Sequence, residues 1–116
     1  HVQSLNAYGF TLADLTDRYK EAYSLISAAH KQKPNDPFIL DSMGWIEYKR
    51  GNFNEAESYL RRALAKRNDP EIAYHLTEVL LAAGKTREAR KIWSKANKDF
   101  PDDKKLQAIS EKMSTK

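Results

Sequence analysis

Glu71, His75 and Glu78 are the residues whose types and spacing come nearest to chemistry in this sequence. They stand at i, i+4 and i+7, so on a helix they share one face, and a histidine between two carboxylates is a donor set for a weakly held metal ion. The same spacing is also that of ordinary ion pairing along a helix. A solvated helix face accounts for all three residues without a ligand. The chain has no cysteine, and its other histidines, His1 and His30, fall at unrelated positions. Ser42, Ser58 and Ser94 have no histidine placed to act as a base. Glu55 and Glu57 lie beside Arg61 and Arg62, where exposed helical pairing contributes about 0.3 kcal/mol each. The expectation is a non-catalytic protein with neither metal nor cofactor.

Charge narrows the partners. The 116 residues carry 20 Lys and Arg against 16 Asp and Glu, a net +4. Arg61, Arg62, Lys66, Arg67, Lys85, Arg87, Arg90, Lys91, Lys95 and Lys98 are dense enough to raise the question of nucleic acid. They are interleaved with Glu55, Glu57, Glu88 and Asp99, so no single-sign stripe forms and no nucleic acid is expected. No apolar run is long enough for direct membrane insertion.

The elements that position these residues are short helices. Ile39, Leu40, Met43 and Ile46 recur at three-and-four spacing, Gly51 interrupts, and Phe53, Ala56, Leu60, Ala63 and Leu64 resume it. Pro37 and Pro70 suit the first helical position, with Asp36 and Asp69 before them as N-caps. Gly51 and Gly84 suit the left-handed residue that ends a helix, and Pro34 and Pro101 stop the second helices. Gly9 and Gly44 lack a side chain where a neighbouring helix comes close. With every glycine and proline in use, no glycine-rich phosphate loop remains. The pattern predicts helices over 2–14, 18–31, 37–50, 53–66, 70–83, 86–99 and 102–113.

Residues 37–69 form a unit of two helices, about 34 residues being a helical-repeat period. Residues 70–103 repeat it, with Gly84 for Gly51, Ala89 for Ala56, Ala96 for Ala63 and Trp93 for Leu60. Residues 2–36 are a weaker copy, with Gly9 for Gly44, Tyr19 for Phe53, Ala22 for Ala56 and an extra residue in a turn without glycine. On these residues the chain resembles the tetratricopeptide repeat family: the small residues Gly9 and Gly44, then Ala22, Ala56 and Ala89, and the closing Pro34 and Pro101. Leu5, Leu40 and Ala73 replace the family's tryptophan, and Thr77 stands in place of a glycine. The resemblance implies one all-α domain over 1–116, an α-solenoid of three hairpins (2–36, 37–69, 70–103) with a capping helix over 104–116. It also implies a fragment of a longer array.

In this family the first helices line a concave groove. The register puts Asn6, Phe10 and Asp14 there from the first copy, Phe38, Asp41, Trp45, Tyr48 and Lys49 from the second, and Tyr74, Glu78 and Leu81 from the third. The aromatics among them imply apolar anchoring of a protein or peptide partner, an extended segment or a helix, with Asp41, Lys49 and Glu78 as a polar rim. An assembly module is the alternative: the array's first hairpin exposes an apolar side at Leu5, Leu12, Tyr23 and Ile26, through which the chain forms a homo-oligomer. Glu47 falls in register with Leu12 and Leu80, at an apolar position. The stretches LNAYGFTLAD, DPFILDSMGWIEYKRGN and DPEIAYHLTEVLLAAGKTREARKIW, with a Thr16-Asp17-Arg18 turn, resemble the C-terminal repeats of long proteobacterial tetratricopeptide proteins. Several of those are envelope lipoproteins that serve as adaptors for periplasmic enzymes, which implies a place in the bacterial cell envelope.

Overall fold

A computed structural model describes residues 1–114. Its elements are α1 (Val2–Leu15), α2 (Tyr19–Gln32), α3 (Pro37–Lys49), α4 (Phe53–Lys66), α5 (Pro70–Ala82), α6 (Thr86–Asp99) and α7 (Lys104–Ser114). No strand occurs among the described residues. Asp36 and Asp69 cap α3 and α5, each accepting two backbone N–H groups. The turns after α3 and α5 are alike. Gly51 (φ 85°) and Gly84 (φ 79°) adopt the left-handed conformation. Asn52 N–H then reaches back to Glu47 O and Lys85 N–H to Leu80 O, which satisfies carbonyls at the helix end. The first hairpin turns without glycine: Thr16 is extended, its hydroxyl donates to Leu12 O at 2.6 Å, and it accepts from Arg18 N–H. This is the task of the extra residue.

Close approach explains the small residues. A Cβ on Gly44 would lie 2.6 Å from Leu60 Cγ and 3.1 Å from Ala56 O; one on Gly9 would lie 2.6 Å from Ile26 Cγ1. Thr77 takes the place of the third glycine, fully buried, and its hydroxyl donates to Ala73 O at 2.8 Å. The hairpin α5–α6 is accordingly less closely packed than the other two.

Along the stack, α1, α3, α5 and α7 touch in succession, while no Cα atoms of α2 and α4, or of α4 and α6, come within 8 Å. The tighter spacing of the first helices makes theirs the concave side. The core runs continuously between the layers, from Leu12, Ile26, Met43 and Ile46 through Leu40 and Ile72 to Leu76, Leu80, Ile109 and Met113. Helix α7 buries Leu106, Ile109 and Met113 and exposes Gln107 and Glu111. By register from the Asp69 and Asp103 caps, those two stand where α5 has the buried Ala73 and Thr77. A polar flank at these positions suits the end of a helical stack. The last two residues of the expected cap, 115 and 116, lie outside the described residues.

One expectation is corrected here. Leu12 and Ile26 are not uncovered: they are 4% and 0% exposed, packed against Met43, Trp45 and Ile46 of α3. Tyr23 lies under the Arg50 guanidinium, 4.1 Å from its ring centroid. The exposed apolar side chains of the first hairpin are instead Tyr8 and Leu15. Glu47 is 7% exposed at its apolar position because Asn52 Nδ2 donates to it at 2.7 Å and Arg50 reaches it at 3.4 Å. A buried carboxylate persists when it is paired in this way.

Candidate protein-binding groove

The concave side is built from α1, α3 and α5, with the start of α7 at its edge. Two of the expected groove residues form its floor. Trp45 is 5% exposed and donates Nε1–H to Asp14 Oδ1 at 3.2 Å, tying α3 to α1. Asp41 is 6% exposed and accepts from His75 Nδ1 at 2.8 Å, tying α3 to α5. His75 itself is buried among rings: Trp45 at 4.2 Å, and Phe10 and Tyr74 each at 5.6 Å. Asp41 and Trp45 are therefore not rim and surface anchor, as their register suggested. They are joints between adjacent first helices.

The same arrangement overturns the solvated reading for His75, while Glu71 stays exposed. His75 is 2% exposed and its Nε2 lies 3.7 Å from Glu71 Oε2. Glu78 serves other partners, accepting from Tyr74 Oη at 3.0 Å and from Lys112 Nζ at 2.9 Å. No group of three metal-ligating side chains occurs among the described residues. Burial, then the Glu78 carboxylate, push the Tyr74 hydroxyl up to about 12, so it remains a donor.

Above this floor the remaining residues separate into two sets. Asn6, Phe10 and Phe38 lie at one end, in a groove of about 680 Å³ that also touches Asp41, Glu71 and Lys105. Phe38 is 42% exposed, and its other face is covered by Arg67, 5.4 Å from the ring centroid. Asn6 Oδ1 has no hydrogen-bond partner among the described residues. At the other end, Lys49 Nζ lies over the rings of Trp45 (5.2 Å) and Tyr48 (5.9 Å). Tyr48 and Leu81 are half-buried against the third hairpin's core.

Where α4 meets α6, the outer face is neutralised by pairing. Arg61 bonds Glu57 at 2.8 Å and Glu88 at 2.7 Å, and Lys85 bonds Glu57 at 2.9 Å. Although burial opposes it, hydrogen bonds from Lys85 and Arg61 hold the Glu57 carboxyl below its ordinary range. No helix among the described residues is long and apolar enough to cross a membrane.

Stacked helical hairpins with a concave layer of first helices define an α-solenoid. The chain belongs to the tetratricopeptide repeat (TPR) family, whose model matches residues 47–113. It is 56% identical over 78 residues to a TPR repeat-containing protein of Pseudomonas aeruginosa, a match that covers 67% of this chain and 13% of that protein. The chain thus spans a small part of that relative's length. A thermophilic TPR protein of Thermus thermophilus has the same fold, with a TM-score of 0.86 at 23% identity over 100% of this chain and 65% of that one. The first TPR domain of Spaghetti (RPAP3), solved with an HSP90 peptide bound, gives 0.83 at 18% identity over 98% and 90%.

Proposed function

We propose that the chain is a non-catalytic binding module whose concave groove holds a segment of a protein partner at the Phe10–Phe38 end. The observation that carries this reading is the exposure of Phe38. It is 42% exposed, while Ile39, Leu40, Met43, Trp45 and Ile46 of the same helix are all buried. An accessible aromatic in a concavity, with polar groups around it, is the composition of an interface centre. A peptide bound to a protein of this fold supports the reading. Of the expected contacts, Tyr48, Lys49, Tyr74, Glu78 and Leu81 extend the same surface, and Asp14, Asp41 and Trp45 hold it in shape. The cell-envelope location rests on the narrower resemblance alone.

The test is capture of partners from a lysate by the chain and by two variants that keep the fold. Phe38→Ala lowers retention of the partner, by about 2 kcal/mol of binding for a central aromatic. Arg61→Ala, on the outer face, leaves it unchanged apart from its salt dependence. Loss with Arg61→Ala and retention with Phe38→Ala defeats the groove as the site.

A second reading, self-association, draws on Tyr8 and Leu15, which are 51% and 74% exposed on α1. Sedimentation tests it. A dimer that Tyr8→Ser with Leu15→Ser dissociates supports it, and a monomer at high concentration removes it.

A further inference from the structure

The outer cleft between α6 and α7 is a second surface, separate from the groove. It has a volume of about 1020 Å³, with the half-buried Trp93 among its lining side chains and the buried Met113 beneath. Trp93 is fixed there, its indole N–H donating to Leu106 O at 2.6 Å. In the stack, α6 runs beside α4 and against α5, and the pairing across that boundary is mixed in sign. The edge of α4 presents Glu57 and Arg61, and α6 meets them with Lys85 and Glu88. One repeat later the register replaces Glu57 by Arg90 and Arg61 by Ser94, so the acid of that edge is gone.

The cations around the cleft are in excess. Arg90 is engaged with Met113 O and Lys95 with Asp99. Arg87, Lys91 and Lys98 have no ion-pair or hydrogen-bond partner for their side chains among the described residues. Of the two acids lining the cleft, Glu88 is turned to Arg61, and Glu111 stands on the α7 wall, against five cations of α6. A cleft that holds Trp93 and is rimmed by net positive charge selects its ligand by charge complementarity. We infer that the α6–α7 cleft docks an acidic amphipathic helix of a protein partner, its apolar stripe on Trp93 and its carboxylates over Arg87, Lys91 and Lys98. A helix fits because the stack itself continues by laying helices side by side.

The probe is a labelled, designed amphipathic peptide of about four turns with leucines on one face and glutamates on the other, followed by anisotropy. Its counterpart has lysine for every glutamate. The glutamate peptide binds the full chain, more weakly as salt rises, and the lysine peptide does not. Lys91→Glu with Lys98→Glu, on exposed positions, lowers affinity about tenfold or more with an unchanged melting temperature. Phe38→Ala leaves it unchanged, which separates this site from the groove. Equal binding of both peptides, full affinity in the charge-reversed variant, or loss with Phe38→Ala overturns the inference. So does binding of single-stranded RNA, but not of the glutamate peptide, to the same cations. Self-association of the chain that the charge reversal abolishes, in place of peptide binding, overturns it as well.

Discussion

The Trp45 indole N–H and the Asp14 carboxylate, 3.2 Å apart, join the first helices of successive hairpins. Trp45 is also packed against His75 and Tyr48 and is 5% exposed. Trp45→Ala therefore destabilises the fold, by about 3–5 kcal/mol, and any loss of partner binding follows from that. Urea unfolding of Trp45→Ala beside Phe38→Ala checks this. Equal stability of the two would contradict a structural Trp45.

Asp41 and His75 couple α3 to α5. Asp41→Ala leaves a buried imidazole donor without its acceptor and costs about 1–3 kcal/mol. A double-mutant cycle with His75→Ala gives a coupling energy of about 1 kcal/mol or more. A coupling near zero would mean that the 2.8 Å contact contributes nothing beyond packing.

Gly44 tolerates no side chain. Its new Cβ would meet Leu60 Cγ at 2.6 Å and the Ala56 carbonyl oxygen at 3.1 Å, inside a close-packed hairpin. Gly44→Ala costs about 1–3 kcal/mol through overpacking. Gly51→Ala meets nothing within 4 Å and loses only through its positive φ, about 1–2 kcal/mol. Relief of the first by trimming Leu60, with no relief of the second, distinguishes the two causes in denaturation curves.

Alkaline pH weakens the fold. Burial first, with nearby carboxylates, raises Tyr48, Tyr59 and Tyr74, the last to about 12. The unfolded chain ionises its tyrosines near their ordinary value of about 10. The folded state thus holds protons longer, so this stabilisation is complete below about 10 and is lost as pH rises through about 12. Lys85, raised by its hydrogen bond to Glu57, acts in the same direction. Melting temperatures across this range fall with pH, and Tyr74→Phe makes the fall shallower.

Helices, turns and hairpin pairing were legible in the sequence because each is set within a few residues. Pro37 behind Asp36, Gly51 after Tyr48, and Gly44 facing Ala56 are local signals. What Asp41, Trp45 and His75 do was not legible. Periodicity puts them on the inner side of their helices, but how far one first helix leans over the next depends on curvature along the whole stack. The same limit hid the cover that α3 gives to Leu12 and Ile26. Glu47 was partly readable: an Asn52 held by the Gly51 turn is the donor a buried carboxylate needs at that spot.

Ties across repeat boundaries differ between the two sides of the stack. Inside, between α1, α3 and α5, they are the part-buried Trp45–Asp14 and the buried His75–Asp41 bonds. Outside, they are exposed ion pairs such as Arg61–Glu88 and Lys85–Glu57. Salt screens the second kind and barely reaches the first. Mechanically the protein is a leaf spring with a stiff inner leaf and an outer leaf whose tension is set by ionic strength. Salt is thus expected to loosen the outer ties more than the inner ones between α1, α3 and α5.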